Sequence, residues 1–257
     1  MKAFGLVALS LITAAATISP ATAEGATKAE EAMSVDAIRS ATRQLAFDPG
    51  RFFPERYSDP LIEIRYTGDD YGYPVYAIAV DRGCTSQDIG EARKTCFGRL
   101  TARMVRAPGI GPAEGEGRSR RQAGAKIFVQ LQHIAPRDEA QLRKSIDALG
   151  LEWLEADVNA CPAAMAHLET DGDIGFFANP VVPKDNSLDI VLHADKIAFS
   201  FGGYLTRSHY DGHLAKGSPG AWAHQLAVSL GDCWKPATAT APWLLDKPAE
   251  PEIAASQ

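Results

Sequence analysis

The fold is decided by residues 62–80, which read IEIRYTGDDYGYPVYAIAV. Apolar and polar residues alternate over the first five positions, as they do in a strand with one buried face. Residues 67–72 are rich in Gly and Asp, a composition typical of a turn. Residues 75–80 are more apolar and predict a second strand. The stretch therefore predicts an antiparallel hairpin.

A second hairpin is predicted further along the chain. Residues 188–192 and 197–201 both alternate, and the four residues between them are few enough for a tight turn. Residues 126–133 also alternate and predict one further strand. Because strands and helices do not alternate regularly, we do not expect a doubly wound parallel sheet.

Helical periodicity recurs in five segments, where apolar residues are spaced three or four positions apart. The segments are residues 34–46, 86–104, 136–149, 162–169 and 218–230. Ser34 and Ser218 are suitable N-caps, and Gly150 is a suitable C-cap. We predict an α+β fold, in which a mainly antiparallel sheet of two hairpins and a further strand packs with four or five helices.

The first 23 residues have the layout of a cleaved secretory signal. Lys2 supplies a positive charge, residues 4–16 are mostly apolar, and Ala21-Thr22-Ala23 ends the segment with small residues. The apolar run is shorter than the roughly 20 residues that a membrane span requires. We expect cleavage after Ala23 and a soluble mature chain that is periplasmic or secreted.

Four cysteines in an exported chain predict two disulfides. Cysteines close in sequence meet most readily, so we expect the pairs Cys84–Cys96 and Cys161–Cys233. The alternative is a four-cysteine zinc site, but the chain has no Cys-x-x-Cys spacing.

Composition divides the chain after the signal into three regions. Residues 24–57 hold the first helix and a connector, and residues 58–236 form the α+β body. Within the body, residues 107–124 are rich in Gly and Pro and predict a mobile loop. Residues 237–257 are rich in Pro and Ala and predict a disordered tail. Within the loop, three arginines are a candidate anion-binding group: Arg118, Arg120 and Arg121.

Charge argues against two kinds of partner. The chain has 26 basic and 32 acidic residues and a formal net charge of −6. Nucleic acids and anionic membrane surfaces select clustered Lys and Arg, so we expect neither as the main partner. No stretch after the signal is long and apolar enough to predict a membrane span.

The densest polar cluster is the segment His209-Tyr210-Asp211-Gly212-His213. Imidazole and carboxylate groups ligate zinc and copper, so His209, Asp211 and His213 are candidate metal ligands. Glycines in and after the segment predict a loop, and its alternative interpretation is a polar surface loop without a metal.

Tyrosines and acidic residues surround the first turn. They could form an aromatic, acidic rim for a sugar or a cationic ligand, although aromatic residues in strands more often serve packing. The candidate ligand-binding residues are Asp69, Asp70, Tyr71 and Tyr73, with Tyr66 and Tyr76 beside them.

Catalytic motifs are missing from the sequence. The patterns Gly-x-Ser-x-Gly, Ser-x-x-Lys and His-Glu-x-x-His do not occur. Acidic residues at 169, 171 and 173 lack the Gly and Glu that complete a calcium loop. We therefore expect a non-catalytic binding or accessory module of the cell envelope, without a cofactor. The alternatives are a metal-assisted hydrolase at His209, Asp211 and His213, and a carbohydrate-binding module at the tyrosine-rich hairpin.

Overall fold

An antiparallel sheet of seven strands forms the centre of the described chain. The computed structural model describes residues 31–56, 59–68, 72–83, 90–92, 96, 98–110, 117–170, 195–202, 207–214 and 217–245. The strands are β1 (Ile62–Thr67), β2 (Pro74–Arg82), β3 (Leu100–Arg106), β4 (Glu152–Asp157), β5 (Lys196–Gly202), β6 (Arg207–His213) and β7 (Lys235–Pro236). Their order in the sheet is β6-β5-β1-β2-β3-β4-β7.

Five helices accompany the sheet in the described ranges. They are α1 (Val35–Ala46), α2 (Gly117–Ile134), α3 (Glu139–Ala148), α4 (Pro162–Thr170) and α5 (Pro219–Ser229). The α+β class is confirmed. Ser34 accepts a hydrogen bond from the Ala37 N–H at 3.2 Å, and Ser218 accepts one from the Ala221 N–H at 3.1 Å, as their predicted capping roles require. Within these ranges no helix combines the length and the apolar character needed to cross a bilayer.

Side chains alternate between two faces of the sheet. On face A, Ile64, Ile78 and Phe199 belong to a core that includes residues of α4 and α5. On face B, Ala77 and Ala79 belong to a second core, which includes residues of α1, α2 and α3. The sheet therefore lies between two helical layers.

The predicted first hairpin is confirmed. Strands β1 and β2 pair antiparallel, with Ile62 opposite Val80 and Tyr66 opposite Tyr76. Residues 69–71 of the turn lie outside the described residues.

Helix α2 corrects two predictions: the part of the mobile loop that covers residues 117–124, and the strand over 126–133. Residues 111–116 of the loop lie outside the described chain. Ile127, Val129 and Leu131 alternate with polar residues, which resembles a strand. In the helix, Ile127 and Leu131 are buried one turn apart, whereas Val129 is 50% exposed. Packing on face B therefore decides between the two periodicities. The side chains of the loop arginines at 118, 120 and 121 lie outside the described part.

Strand β3 corrects the end of the helix predicted over 86–104, at residues 100–104. Residues 100–106 lie between β2 and β4, with Met104 buried on face A and Val105 on face B. A spacing of four residues, such as Leu100 to Met104, places side chains together in a helix but also on one face of a strand. Most of residues 84–97 lie outside the described ranges.

The second hairpin differs from the prediction. Residues 197–201 do lie in a strand, β5, but residues 188–192 fall outside the described chain. Strand β5 pairs with β1 on one side and with β6 on the other. Strand β6 is the polar segment that we expected to be a loop.

The predicted disulfide between Cys161 and Cys233 is confirmed. It joins the start of α4 to the turn that follows α5 and so ties together the helices of face A. In the described ranges one disulfide is present rather than two. Cys84 lies outside them, so the Cys84–Cys96 pair stays a prediction.

Residues 237–245 pack on the body and are not a disordered tail. The Ala237 N–H donates to the Trp153 carbonyl at 3.0 Å, and the Trp153 indole N–H donates to the Ala239 carbonyl at 2.8 Å. Trp243 is buried in the core of face B. The predicted signal at 1–23 and the last residues, 246–257, lie outside the described chain.

Candidate functional site

Strand β6 presents a row of polar side chains on one face. Alternate residues are exposed, while the residues between them are half-buried. Tyr210, one of the half-buried residues, packs on the core of face A, so the exposed residues point to face B. The exposed row consists of Arg207, His209, Asp211 and His213.

Helices cover face B only in part. The core beneath α1, α2 and α3 includes residues of β2, β3 and β4 but no described residue of β5 or β6. Lys196 and Ser200 lie on this face of β5, because Phe199 points to face A. We call the uncovered region the open face. Its members are Arg65, Lys196, Arg207, His209, Asp211 and His213, and the buried Ser200 lies beneath them.

A serine and a histidine are hydrogen-bonded at the centre of the open face. The register places Glu63, Ser200 and His209 side by side on β1, β5 and β6. The Ser200 hydroxyl oxygen lies 3.0 Å from His209 Nδ1, and Ser200 is buried. This bond fixes the orientation of the imidazole ring and leaves its Nε2 atom for other contacts.

Two arginines form ion pairs with the carboxylate of Glu63. Arg207 Nη2 lies 2.8 Å from Glu63 Oε1, and Arg65 Nη1 lies 3.6 Å from Glu63 Oε2. Arg65 also contacts Asp48 at 2.6 Å. The acids beneath the open face are therefore already paired with cations.

Among the described residues, the Ser200–His209 pair lacks the neighbours that a catalytic nucleophile requires. A serine hydrolase needs an acid that orients the histidine and N–H donors for an oxyanion. Glu63, the acid in the same cross-strand row, is held by arginines. Asp211 lies two residues along β6 from His209, and no hydrogen bond between these two side chains is present. Strand β5 is paired along both edges, so the ladders use the N–H groups around Ser200. This geometry favours a structural or binding role for the pair.

The strand also separates the candidate metal ligands. Residues four apart on a strand lie about 13 Å apart, whereas zinc binds imidazole nitrogens at about 2.0 Å. His209 and His213 are therefore too far apart to share one ion, and among the three candidates Asp211 is the neighbour of each. In the described chain, no three His, Cys, Asp or Glu residues lie close enough to hold a metal.

The tyrosines of the first hairpin do not form a rim in the described part. Tyr66 and Tyr76 are buried, with stacked rings whose centroids lie 4.7 Å apart. The Tyr76 hydroxyl lies 2.9 Å from His224 Nδ1 on α5. Tyr73 packs on Phe128. The other candidates, Asp69, Asp70 and Tyr71, lie outside the described residues.

A second charged group lies under the segment that follows α1. The Arg103 guanidinium donates to the Phe52 carbonyl at 2.6 Å and to Glu155 at 2.8 Å, and it stacks on the Phe53 ring. Burial raises the pKa of the Asp81 carboxyl, although a backbone hydrogen bond and nearby arginines oppose this. These groups are covered, so they stabilise the fold and are not accessible to a ligand.

The sequence identified His209, Asp211 and His213 as candidates but did not predict that they lie on a strand or which side chains they contact. It did not find the bond of His209 to Ser200 or the pairing of Arg207 with Glu63. The missed signal was the period of two in Arg-x-His-x-Asp-x-His, which is typical of a strand with one exposed polar face.

No family model, curated protein or solved structure matches this chain. The functional interpretation of the open face therefore depends on its geometry alone. The open face is an exposed row of charged and hydrogen-bonding groups on one face of a sheet, suited to contact a polar partner.

Proposed function

We propose that the protein is an exported, non-catalytic binding or accessory module of the cell envelope, and that it binds its partner through the open face. One observation carries this proposal. Arg207, His209, Asp211 and His213 are all exposed on the face of a sheet that helices cover elsewhere. Contact residues held on strands are positioned more firmly than residues on loops.

The predicted signal and the disulfide support export. Disulfides form and persist in oxidising compartments such as the periplasm. The bond between Cys161 and Cys233 suits that environment. The geometry does not favour the two alternatives, since β6 separates the metal candidates and the described tyrosines of the hairpin are packed inside.

An envelope-retention assay tests the proposal. Cells of the source organism would express the full chain or the variant H209A/D211A/H213A, and the protein would be quantified in the envelope and released fractions. The matched control is V129A/Q130A, which changes exposed residues of α2.

We expect the open-face variant to leave the envelope fraction, while the control stays there with the wild type. An unchanged distribution of the open-face variant would count against this binding surface. Turnover of a substrate in a screen for envelope hydrolases would overturn the non-catalytic assignment.

A further inference from the structure

We infer that the outer edge of β6 pairs antiparallel with β6 of a second copy of this chain, so that two sheets join across a two-fold axis. This interface lies beyond the proposed function, because it uses the backbone edge of β6 and not the side chains of the open face. The direction of the backbone groups along β6 creates the interface, and the signs of its charges select a second copy as the partner.

Strand β6 is the outermost strand at one side of the described sheet. Its register with β5 runs without a bulge from Arg207 to His213, and the strand contains no Pro or Lys. Proteins commonly protect an edge strand with such residues, with a bulge or with a covering segment. The opposite edge has this protection, because β4 is covered by β7, where Pro236 lacks an N–H, and by the hydrogen bond from Ala237 to Trp153.

Every second residue of β6 directs its backbone groups away from the sheet. The Leu214 N–H donates to the Asp195 carbonyl at 3.1 Å, directly after the last pair of the ladder. Hydrogen-bonded and non-hydrogen-bonded pairs alternate in an antiparallel ladder, so residues 208, 210 and 212 also bond to β5. The N–H and carbonyl groups of residues 207, 209, 211 and 213 therefore point outward.

Most of these outward groups are unpaired in the described part of the chain. The His213 carbonyl accepts a hydrogen bond from the Tyr210 hydroxyl at 3.0 Å. Among the described residues, no hydrogen bond is present to the backbone N–H or carbonyl groups that Arg207, His209 and Asp211 direct outward. The edge available to a further strand is therefore residues 207–211.

The charges of this edge are complementary to those of a second copy. Antiparallel pairing about a two-fold axis at His209 places Arg207 of each copy opposite Asp211 of the other. This match does not depend on the charge of histidine. Opposite charges across strands stabilise a pair, and like charges destabilise it. Each pair of opposite outward residues exchanges two hydrogen bonds, so the interface contains about six main-chain hydrogen bonds.

Arg207 can contact acids on both sides. Its guanidinium contacts Glu63 and Asp59 within its own chain and has more N–H donors than these contacts use. Opposite residues of an antiparallel pair point to the same face. The open faces of the two copies therefore lie side by side on one continuous sheet.

Sedimentation equilibrium and hydrogen exchange test this pairing. Exported mature protein would be measured between about 5 and 500 µM, the range in which weak complexes dissociate. D211P removes one outward N–H, a change that an edge strand tolerates. D211K keeps the backbone and places two cations opposite each other. E169K, which changes an exposed acid of α4, is the matched control.

We expect the mass to rise from monomer to dimer with concentration, and the outward amides of His209 and Asp211 to exchange more slowly in the dimer. The inward amides of Ser208 and Tyr210 should be protected at every concentration. D211P and D211K should each raise the dissociation constant of the dimer about tenfold or more, because each change occurs twice in a two-fold interface. E169K should dimerise like the wild type.

A monomer at every concentration would overturn the inference. Protected outward amides in a monomer would also overturn it, because another segment of the same chain would then pair with β6. A dimer that D211P and D211K leave unchanged would place the interface elsewhere. The envelope-retention assay is independent of these outcomes, because H209A/D211A/H213A keeps every backbone group of the edge.

Discussion

At the scale of single residues, the environment of a side chain decides its role more than its type does. Tyr66 and Tyr76 flank the first turn in the sequence, yet both are buried in the core of face A. His209 and His213 have the same residue type, but only His209 has a serine beside it in the register. Neighbours across strands come from distant segments, so residue type and local spacing could not predict these pairs.

Asp81 gives a prediction at this scale. Burial raises the pKa of its carboxyl in the folded protein, so the native state holds this proton at pH values where the unfolded chain has lost it. The contribution of Asp81 to the free energy of unfolding therefore falls as the pH rises from about 4 through the raised pKa. The variant D81N should lack this dependence.

Urea unfolding of the wild type and D81N at pH 4 and pH 7 measures the effect. The free energy of unfolding of D81N minus that of the wild type should be more positive at pH 7 than at pH 4. D81N therefore gains stability relative to the wild type as the pH rises. Arg56 Nε lies 3.6 Å from Asp81 Oδ2 and 3.9 Å from Glu55 Oε1, and its attraction for the ionised Asp81 is one of the effects that burial outweighs in raising the pKa of Asp81. An equal difference at the two pH values would show that the pKa of Asp81 is not raised.

At the scale of elements, the sequence correctly predicted helices with a strong amphipathic period. Its predictions were wrong where one apolar pattern fits both a helix and a strand. Helices α1 and α5 have an amphipathic pattern and a serine cap, and both were predicted within a residue or two. Helix α2 and strand β3 were assigned wrongly, because short apolar patterns satisfy both periods. Whether each segment forms a helix or a strand depends on its packing partners, which lie far away in the sequence.

The C-terminal segment shows the same limit. Its composition predicts disorder, but Trp243 fills a site in the core of face B and donates a hydrogen bond to Asp147 at 3.0 Å. Arg51 and Arg143 donate to the carbonyls of Pro242 and Trp243. The buried Trp243 and these hydrogen bonds together hold residues 237–245 on the body.

Trp243→Ala tests this packing. Removal of a buried Trp side chain costs about 3–5 kcal/mol of the free energy of unfolding, and denaturant unfolding should show a loss of that size. The matched control is Leu244→Ala, because Leu244 is 52% exposed and its change should stay within about 0.5 kcal/mol. Equal, small effects of both variants would mean that the segment does not pack on the body.

At the scale of the whole molecule, the α+β class was predictable, while the open face was not. Antiparallel hairpins and amphipathic helices are local patterns, and they indicated the class correctly. The open face depends on which strands the helices cover, and that is set by contacts between distant segments. Three of its residues, His209, Asp211 and His213, were singled out in the sequence as a loop cluster, but their common exposure on one sheet face is a property of the assembled fold.

In-cell photocrosslinking tests whether the open face contacts a partner in the cell envelope. A photoreactive amino acid would replace His213 on the open face or, as control, Gln225, which is exposed on α5. We predict a discrete adduct from position 213, its loss when Arg207→Glu and His209→Glu are added, and none from position 225. If position 213 gives no adduct, or if both positions give the same adducts, the open face is not the binding surface.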